Sequence, residues 1–296
     1  MTHWWTAFRP KTLSAAVVPV VVGTALVPTF GGEILWWVTG LALFAALMIQ
    51  LATNLFNDVI DFKKGADTEA RLGPTRVTQS GMISEKGVFW AAIGFLLLAF
   101  LAGIPLVLHG GWPIVAIGLV SLFLAYAYTG GPFPLAYLGL GEIFVVLFFG
   151  LIAVGGVFYL HTLSFHPAAA VAGLQVGFLA TALLVINNIR DREQDLKAHK
   201  KTLAVRFGLR FSRVELLLIY LLSFGLGAYW FMQGLWLMAF LPLVVWPLVR
   251  QVIHQVFFTQ PGAHYNELLG KAAAIHVLFG VQLVFALVVS GFLQWP

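Results

Sequence analysis

Apolar residues run through this chain in long blocks, separated by short polar stretches. Nine blocks are long enough to be read as membrane-crossing helices, at roughly 12–30, 34–56, 87–108, 112–129, 137–160, 166–189, 213–232, 235–253 and 271–293, since a helix needs about 20 apolar residues to cover the hydrocarbon core. The fourth is short and ends at Gly130-Gly131-Pro132-Phe133-Pro134. Pro19, Pro28, Pro105 and Pro242 fall within or near blocks, where neighbouring helices tolerate kinks. The longest polar stretch is only roughly 30 residues, too little for a separate soluble domain. The pattern predicts an all-α, polytopic bundle of nine transmembrane helices, a single domain over residues 1–296.

Composition supports a lipid-embedded chain. Of its 296 residues 60% are hydrophobic and 10% charged, against about 25% charged in a soluble domain. The N-terminal residues MTHWWTAFRPKT do not resemble a cleaved signal peptide, so the first apolar block is expected to remain as a transmembrane helix. There is no cysteine, which excludes disulfides, thiolate metal sites and a cysteine nucleophile.

Charge orients the bundle. All 17 lysines and arginines lie in the N-terminal tail (Arg9, Lys11), in polar loops near 57–86 and 190–213, or around a third loop (Arg250, Lys271). With the N-terminus inside, every one of them faces the cytoplasm and the C-terminus lies outside, as the positive-inside rule requires. The net charge of +5 is therefore positional and does not point to a nucleic-acid partner. Trp4, Trp5, Trp36, Trp37, Trp112, Trp236 and Trp295 stand near block ends as interfacial anchors. The eight histidines show no ligand spacing and read as interfacial or loop residues.

The two large polar loops carry the chemistry. Each opens with Asn-x-x-x-Asp, Asn54…Asp58 and Asn187…Asp191, followed by a second aspartate, Asp61 and Asp195. Four blocks separate the two, so both face one side, as a parallel repeat. Spacings of three or four place the two carboxylates of each island on one helical face, and Asn54 and Asn187 lie one turn earlier. Oxygen-only ligands suit Mg²⁺, which takes one or two carboxylates plus phosphate oxygens and water. With no His or Cys beside them, zinc is not expected. Lys63, Lys64, Arg71, Arg76, Arg190, Arg192, Lys197, Lys200, Lys201 and Arg206 intersperse the acids, and acid, metal and base together suit a diphosphate. A transporter would place its ionisable residues near the midplane. These lie at one membrane edge, which favours an enzyme. Glu142 stands about a turn inside the fifth block, and a charge in a span marks function by default. It is read as orienting a substrate or as structural.

Residues 54–81 (NLFNDVIDFKKGADTEARLGPTRVTQSG) and 187–208 (NNIRDREQDLKAHKKTLAVRFG) resemble the two Asp-rich motifs of the UbiA superfamily of intramembrane aromatic prenyltransferases. Arg9-Pro10-Lys11-Thr12, Gly65-Ala66-Asp67-Thr68, Gly73-Pro74-Thr75-Arg76-Val77-Thr78 and Lys201-Thr202-Leu203-Ala204-Val205-Arg206 look most like the branch that prenylates 1,4-dihydroxy-2-naphthoate. Many relatives have an aspartate four residues after Asp61. Here that position is Gly65 and the next acid is Asp67, so the third aspartate is displaced and left out of the ligand set.

The resemblance implies a central cavity opening near the cytoplasmic face, and transfer of a polyprenyl group from polyprenyl diphosphate to the naphthoate with loss of CO₂ and diphosphate. Other acceptors of the family's type are 4-hydroxybenzoate and homogentisate. It implies Mg²⁺ held by Asn54, Asp58, Asp61, Asp191 and Asp195, the four aspartates being catalytic. Arg76, Lys200, Lys201, Lys11 and Tyr128 would contact diphosphate. Asn187, Glu142, Phe148 and Tyr126, with Phe144 and Phe149, would line the acceptor and prenyl cavity. The oligomeric state is not legible in the sequence.

Overall fold

Two helices outrun their apolar blocks, and the functional site is built on those extensions. In the computed structural model, which describes residues 2–68 and 71–293, the helices are α1 Thr2–Phe8, α2 Pro10–Phe30, α3 Trp36–Lys63, α4 Glu85–Gly110, α5 Trp112–Ala127, α6 Gly141–Thr162, α7 Pro167–Lys197, α8 Leu203–Met232, α9 Trp236–Phe258 and α10 Tyr265–Leu293. Hydropathy placed the ends of α3 and α7 near 56 and 189, but both helices continue through the polar islands. Asn54, Asp58 and Asp61 recur every three or four residues and are buried, as are Asn188, Asp191 and Asp195. The bundle supplies partners for one polar face, so these turns stay helical where an isolated segment would fray. Likewise α8 and α10 begin well before the expected 213 and 271. A break at Gly208 (φ 83°) occupies a backbone region open to glycine.

Among the described residues, eight helices are long and apolar enough to cross a bilayer, and α5, with 16 residues, is a shorter ninth. Their outer faces require lipid. On α4 the buried side is Val88, Ala92, Ala99, Ala102 and Leu106, while Leu97, Leu98, Phe100, Leu101 and Ile104 are exposed. A helix with larger apolar groups outside than inside is stable only in hydrocarbon. The protein is an integral membrane protein. Of the expected interfacial tryptophans, Trp5, Trp36, Trp37, Trp112 and Trp236 are exposed, and Trp295 lies outside the described residues. One histidine corrects the interfacial reading: His276 is fully buried in the middle of α10, while His161, at the end of α6, accepts the Leu35 N–H through Nδ1 at 3.1 Å.

The helices form two groups. α3, α4 and α5 pack together, and α7 to α10 pack together, with α2 and α6 joining the groups. α6 and α7 pack closely. A Cβ on Gly150 would stand 2.4 Å from the Gly173 carbonyl oxygen and 2.8 Å from Gly177 Cα, so the backbones touch as in other small-residue membrane interfaces. Gly150 lies in a π-helical segment, Val146–Ile152. The extra residue per turn rotates the face that follows. Glu142 and Val145 before it, and Phe149, Ile152 and Ala153 within and after it, all line one cavity.

Candidate active site

Asp58 folds the first motif back on itself. Its Oδ1 accepts the Thr78 backbone N–H at 2.9 Å, and its Oδ2 lies 3.9 Å from Arg9 Nη2. This closure returns Arg71 and Arg76 to the end of α3. There, Arg76 lies 3.6 Å from Asp61 Oδ2 and 3.0 Å from Asp67 Oδ2, and Arg71 pairs with Asp67 Oδ1. Burial pushes the Asp67 carboxyl up to about 6, against the pull of Arg71. Asp67 is thus the counter-ion that holds two arginines.

On α7, Arg190 forms a fork with Asp191, through Nε to Oδ1 and Nη2 to Oδ2, both at 2.7 Å. It also donates to Asn187 Oδ1 at 2.6 Å and Asn266 Oδ1 at 2.7 Å. Lys200 Nζ stands 3.8 Å from Asp195. Burial works against the Lys200 ammonium, but Asp61, Asp195, Asp191 and Asp67 together outweigh it and hold its pKa above the ordinary value. The islands meet directly, since Arg71 Nη2 lies 3.9 Å from Asp191 Oδ2.

The α5–α6 connection ties the islands together and contains a residue that sequence reasoning missed. The Tyr137 hydroxyl donates to Asp61 Oδ1 at 2.8 Å, while its carbonyl accepts the Lys201 N–H at 3.0 Å. Lys64 and Lys200 lie over its ring, at 4.1 and 5.4 Å from the centroid. Burial, then Asp61, raise the Tyr137 pKa, so the phenol keeps its proton and remains a donor. Nothing in the local pattern around Tyr137 distinguishes it from an interfacial tyrosine.

These elements frame a cavity of about 970 Å³, lined by α2, α3, α4, α5, α6 and α7. Its polar end adjoins a recess lined by Asp61, Asp67, Arg71, Arg76, Asn187, Asp191, Asp195 and Lys200. Among the residues expected at the site, Asp61, Asp191, Asp195, Arg76, Lys200 and Asn187 meet at this recess. Tyr128, Glu142, Phe144, Phe148 and Phe149 line the cavity, with the rings of Phe144 and Phe148 stacked 5.7 Å apart. Lys11 lines the cavity and is exposed.

Four placements depart from the sequence reading. Asn54 lines the cavity, but its Nδ2 donates to Phe8 O and Thr12 Oγ1, both at 3.0 Å, and its Oδ1 accepts from Gln50. Its amide is spent docking α1 and α2 onto α3. Asp58 lines neither the cavity nor the recess, being turned toward Arg9 and Thr78. Lys201 is exposed and lines neither; its contribution is its backbone. Tyr126 is exposed and packs edge-on against Phe56, 5.4 Å between centroids. Two residues before Tyr128, it lies roughly 200° around the helix, at about 100° per residue. Asp58→Ala is therefore expected to lower stability by about 1–3 kcal/mol, the usual cost of stranding a buried donor. Turnover per folded molecule should fall less than for a substitution at Asp195. Thermal melts beside initial rates check this.

The donor set fits a divalent ion that arrives with its anion. Among the described residues, no three His, Cys, Asp or Glu side chains form a ready-made metal cage. Asp61, Asp191 and Asp195 do share the recess, all oxygen donors, and Arg71 Nε is buried there without a hydrogen-bond partner, while Arg76 Nε and Asp67 Oδ2 face only each other, at 3.0 Å. A spare guanidinium donor beside carboxylates suits an anion that brings its own counter-ion. Mg²⁺ bound by a few carboxylates and phosphate oxygens matches this arrangement better than a metal held by protein alone.

Known proteins share this architecture. The described part of the chain is similar to the solved structure of a UbiA homolog from Aeropyrum pernix K1, with a TM-score of 0.71 at 15% identity over 92% of this chain and 97% of that one. It is also similar to a UbiA homolog from Archaeoglobus fulgidus bound to GPP and Mg²⁺, with a TM-score of 0.66 at 19% identity over 97% and 99%. In sequence it is 33% identical over 299 residues to a 1,4-dihydroxy-2-naphthoate octaprenyltransferase of Haemophilus influenzae, covering 97% of this chain and 96% of that protein. The family profile described as UbiA prenyltransferase family matches residues 16–264. With both Asp-bearing helix ends facing one cavity and that match spanning most of its length, the chain belongs to the UbiA prenyltransferase family.

Proposed function

We propose that this protein transfers a polyprenyl group from polyprenyl diphosphate to 1,4-dihydroxy-2-naphthoate, losing CO₂ and diphosphate, in the step that gives demethylmenaquinone. The whole chain acts as one domain in a bacterial cytoplasmic membrane, N-terminus inside, with Mg²⁺ as cofactor. The observation that carries the reading is the convergence of Asp61 on α3 with Asp191 and Asp195 on α7, beside Arg71, Arg76 and Lys200, at the polar end of a largely apolar cavity.

Arg71, Arg76 and Lys200 donate charge-assisted hydrogen bonds to the diphosphate, and Tyr128 stands at the same end of the cavity. Asp61, Asp191 and Asp195 would hold Mg²⁺, which would supply positive charge to offset that developing on the leaving group. Phe144, Phe148 and Phe149 keep water from the allylic cation and stabilise it by about 0.5–2 kcal/mol per well-placed ring. Asn187 and Glu142 line the wall toward the acceptor ring. Phe100, Ile104, Leu108 and Leu119 line the cavity yet are exposed on the lipid face, so a tail longer than the chamber can extend into the bilayer.

Purified protein in detergent should release diphosphate only with Mg²⁺, polyprenyl diphosphate and dihydroxynaphthoate all present. Preferred use of 4-hydroxybenzoate or homogentisate would overturn the acceptor, and solute uptake into liposomes without chemistry would overturn the enzyme. Arg76→Ala should raise KM for the prenyl diphosphate more than KM for the acceptor, which a two-substrate rate matrix measures. Equal changes in both would count against a diphosphate contact.

A further inference from the structure

Glu142 is a buried carboxylate with no counter-ion. At the polar end of the bundle the other buried acids have cations: Asp58 with Arg9, Asp61 with Arg76, Asp67 with Arg71 and Arg76, Asp191 with Arg190, Asp195 with Lys200. No lysine or arginine among the described residues reaches Glu142, which is only 7% exposed. Lining a wall does not require a charge, and an isolated carboxylate in a span is costly. The fold nevertheless orients it. Asn188 Nδ2 donates to Oε1 at 2.8 Å, fixing the carboxylate while leaving it on the cavity wall. A Cβ on Gly141 would stand 3.0 Å from the Tyr128 hydroxyl, so a phenol flanks the same spot. The stacked Phe144 and Phe148 follow within two turns.

Resting on the prenyl-transfer reading above, we propose that Glu142, oriented by Asn188, accepts the proton of the acceptor hydroxyl adjacent to the attacked carbon and returns it after CO₂ has left. As the allylic C–O bond breaks, its electron pair leaves on diphosphate. The hydroxyl proton moves to Glu142, the O–H pair becomes part of a C=O bond, and ring electrons form the new C–C bond at the carbon bearing the carboxylate. That carbon now carries a carboxylate beside a ketone. The bond to CO₂ breaks, its pair restores the aromatic ring, and Glu142 gives the proton back to the oxygen. Atoms and charge balance, no redox partner is needed, and Glu142 ends ionised as it began. The recess carboxylates stand with cations beside the diphosphate, which leaves Glu142 to serve the ring.

Glu142→Gln keeps the shape and the Asn188 bond but cannot take a proton. On dihydroxynaphthoate its kcat should fall about 10²-fold, within the usual range for a general base. Prenyl diphosphate affinity, acceptor KM and Tm should stay within about twofold or a few degrees of wild type. Glu142→Asp should recover part of the loss. On the acceptor methylated at that hydroxyl, wild type should be no faster than Glu142→Gln, including the case in which neither makes product. A Gln variant with near-wild-type kcat, or a wild type that keeps its advantage on the methyl ether, overturns the proposal. A wild type inactive on dihydroxynaphthoate but active on another ring acid overturns the acceptor assignment instead.

Discussion

Asp195→Asn is expected to cut prenyl transfer at least ~10²-fold with little loss of folded protein. That is the scale seen when one strong electrostatic group is removed from a preorganised site. Asp195 lines the recess and faces Lys200 at 3.8 Å, too long for a strong structural bond. The amide is nearly isosteric, so packing on α7 survives. The Mg²⁺ concentration for half-maximal rate should rise with the loss in kcat, whereas a purely structural role would leave it unchanged. Initial rates over a Mg²⁺ series decide between these. Wild-type turnover in Asp195→Asn would remove Asp195 from the chemistry.

Gly150→Val should be among the most destabilising single changes. Overpacking a membrane or soluble core costs about 1–3 kcal/mol and sometimes more. Here the added Cβ would meet the Gly173 carbonyl oxygen at 2.4 Å and Gly177 Cα at 2.8 Å. Backbone atoms cannot rotate away, so α6 and α7 must separate. Those helices carry Glu142, Phe148, Asn187, Asp191 and Asp195, and turnover should fall with stability. Gly155→Val, on the same helix where a Cβ meets nothing within 4 Å, is the control and should be close to neutral. Equal thermal melts for the two variants would refute the close α6–α7 contact as a stability determinant.

Hydrophobic block length was enough to read the helices, because in lipid each crossing must satisfy its own backbone. Their ends were less legible. Asn54, Asp58 and Asp61 look like loop polarity in a hydropathy profile, yet all three are buried on α3. The island motif was legible as a motif, but it did not say which carboxylate faces the partner helix. Asp58 and Asp61 share a helical flank, and only the fold of residues 71–83 assigns Asp58 to Thr78 and Asp61 to the recess. Tyr137 and Asn188 gave no signal, since their importance lies in Asp61 and Glu142, distant in the chain.

By itself the sequence determined a helical membrane bundle with two acidic islands on one side, because composition, block length and helical periodicity are local properties. Only the tertiary structure decided that α3 and α7 face one cavity, that Asp67 holds two arginines, and that Glu142 stands without a cation. Periodicity states which residues share a face, whereas charge pairing and solvent exclusion depend on what the rest of the chain places opposite.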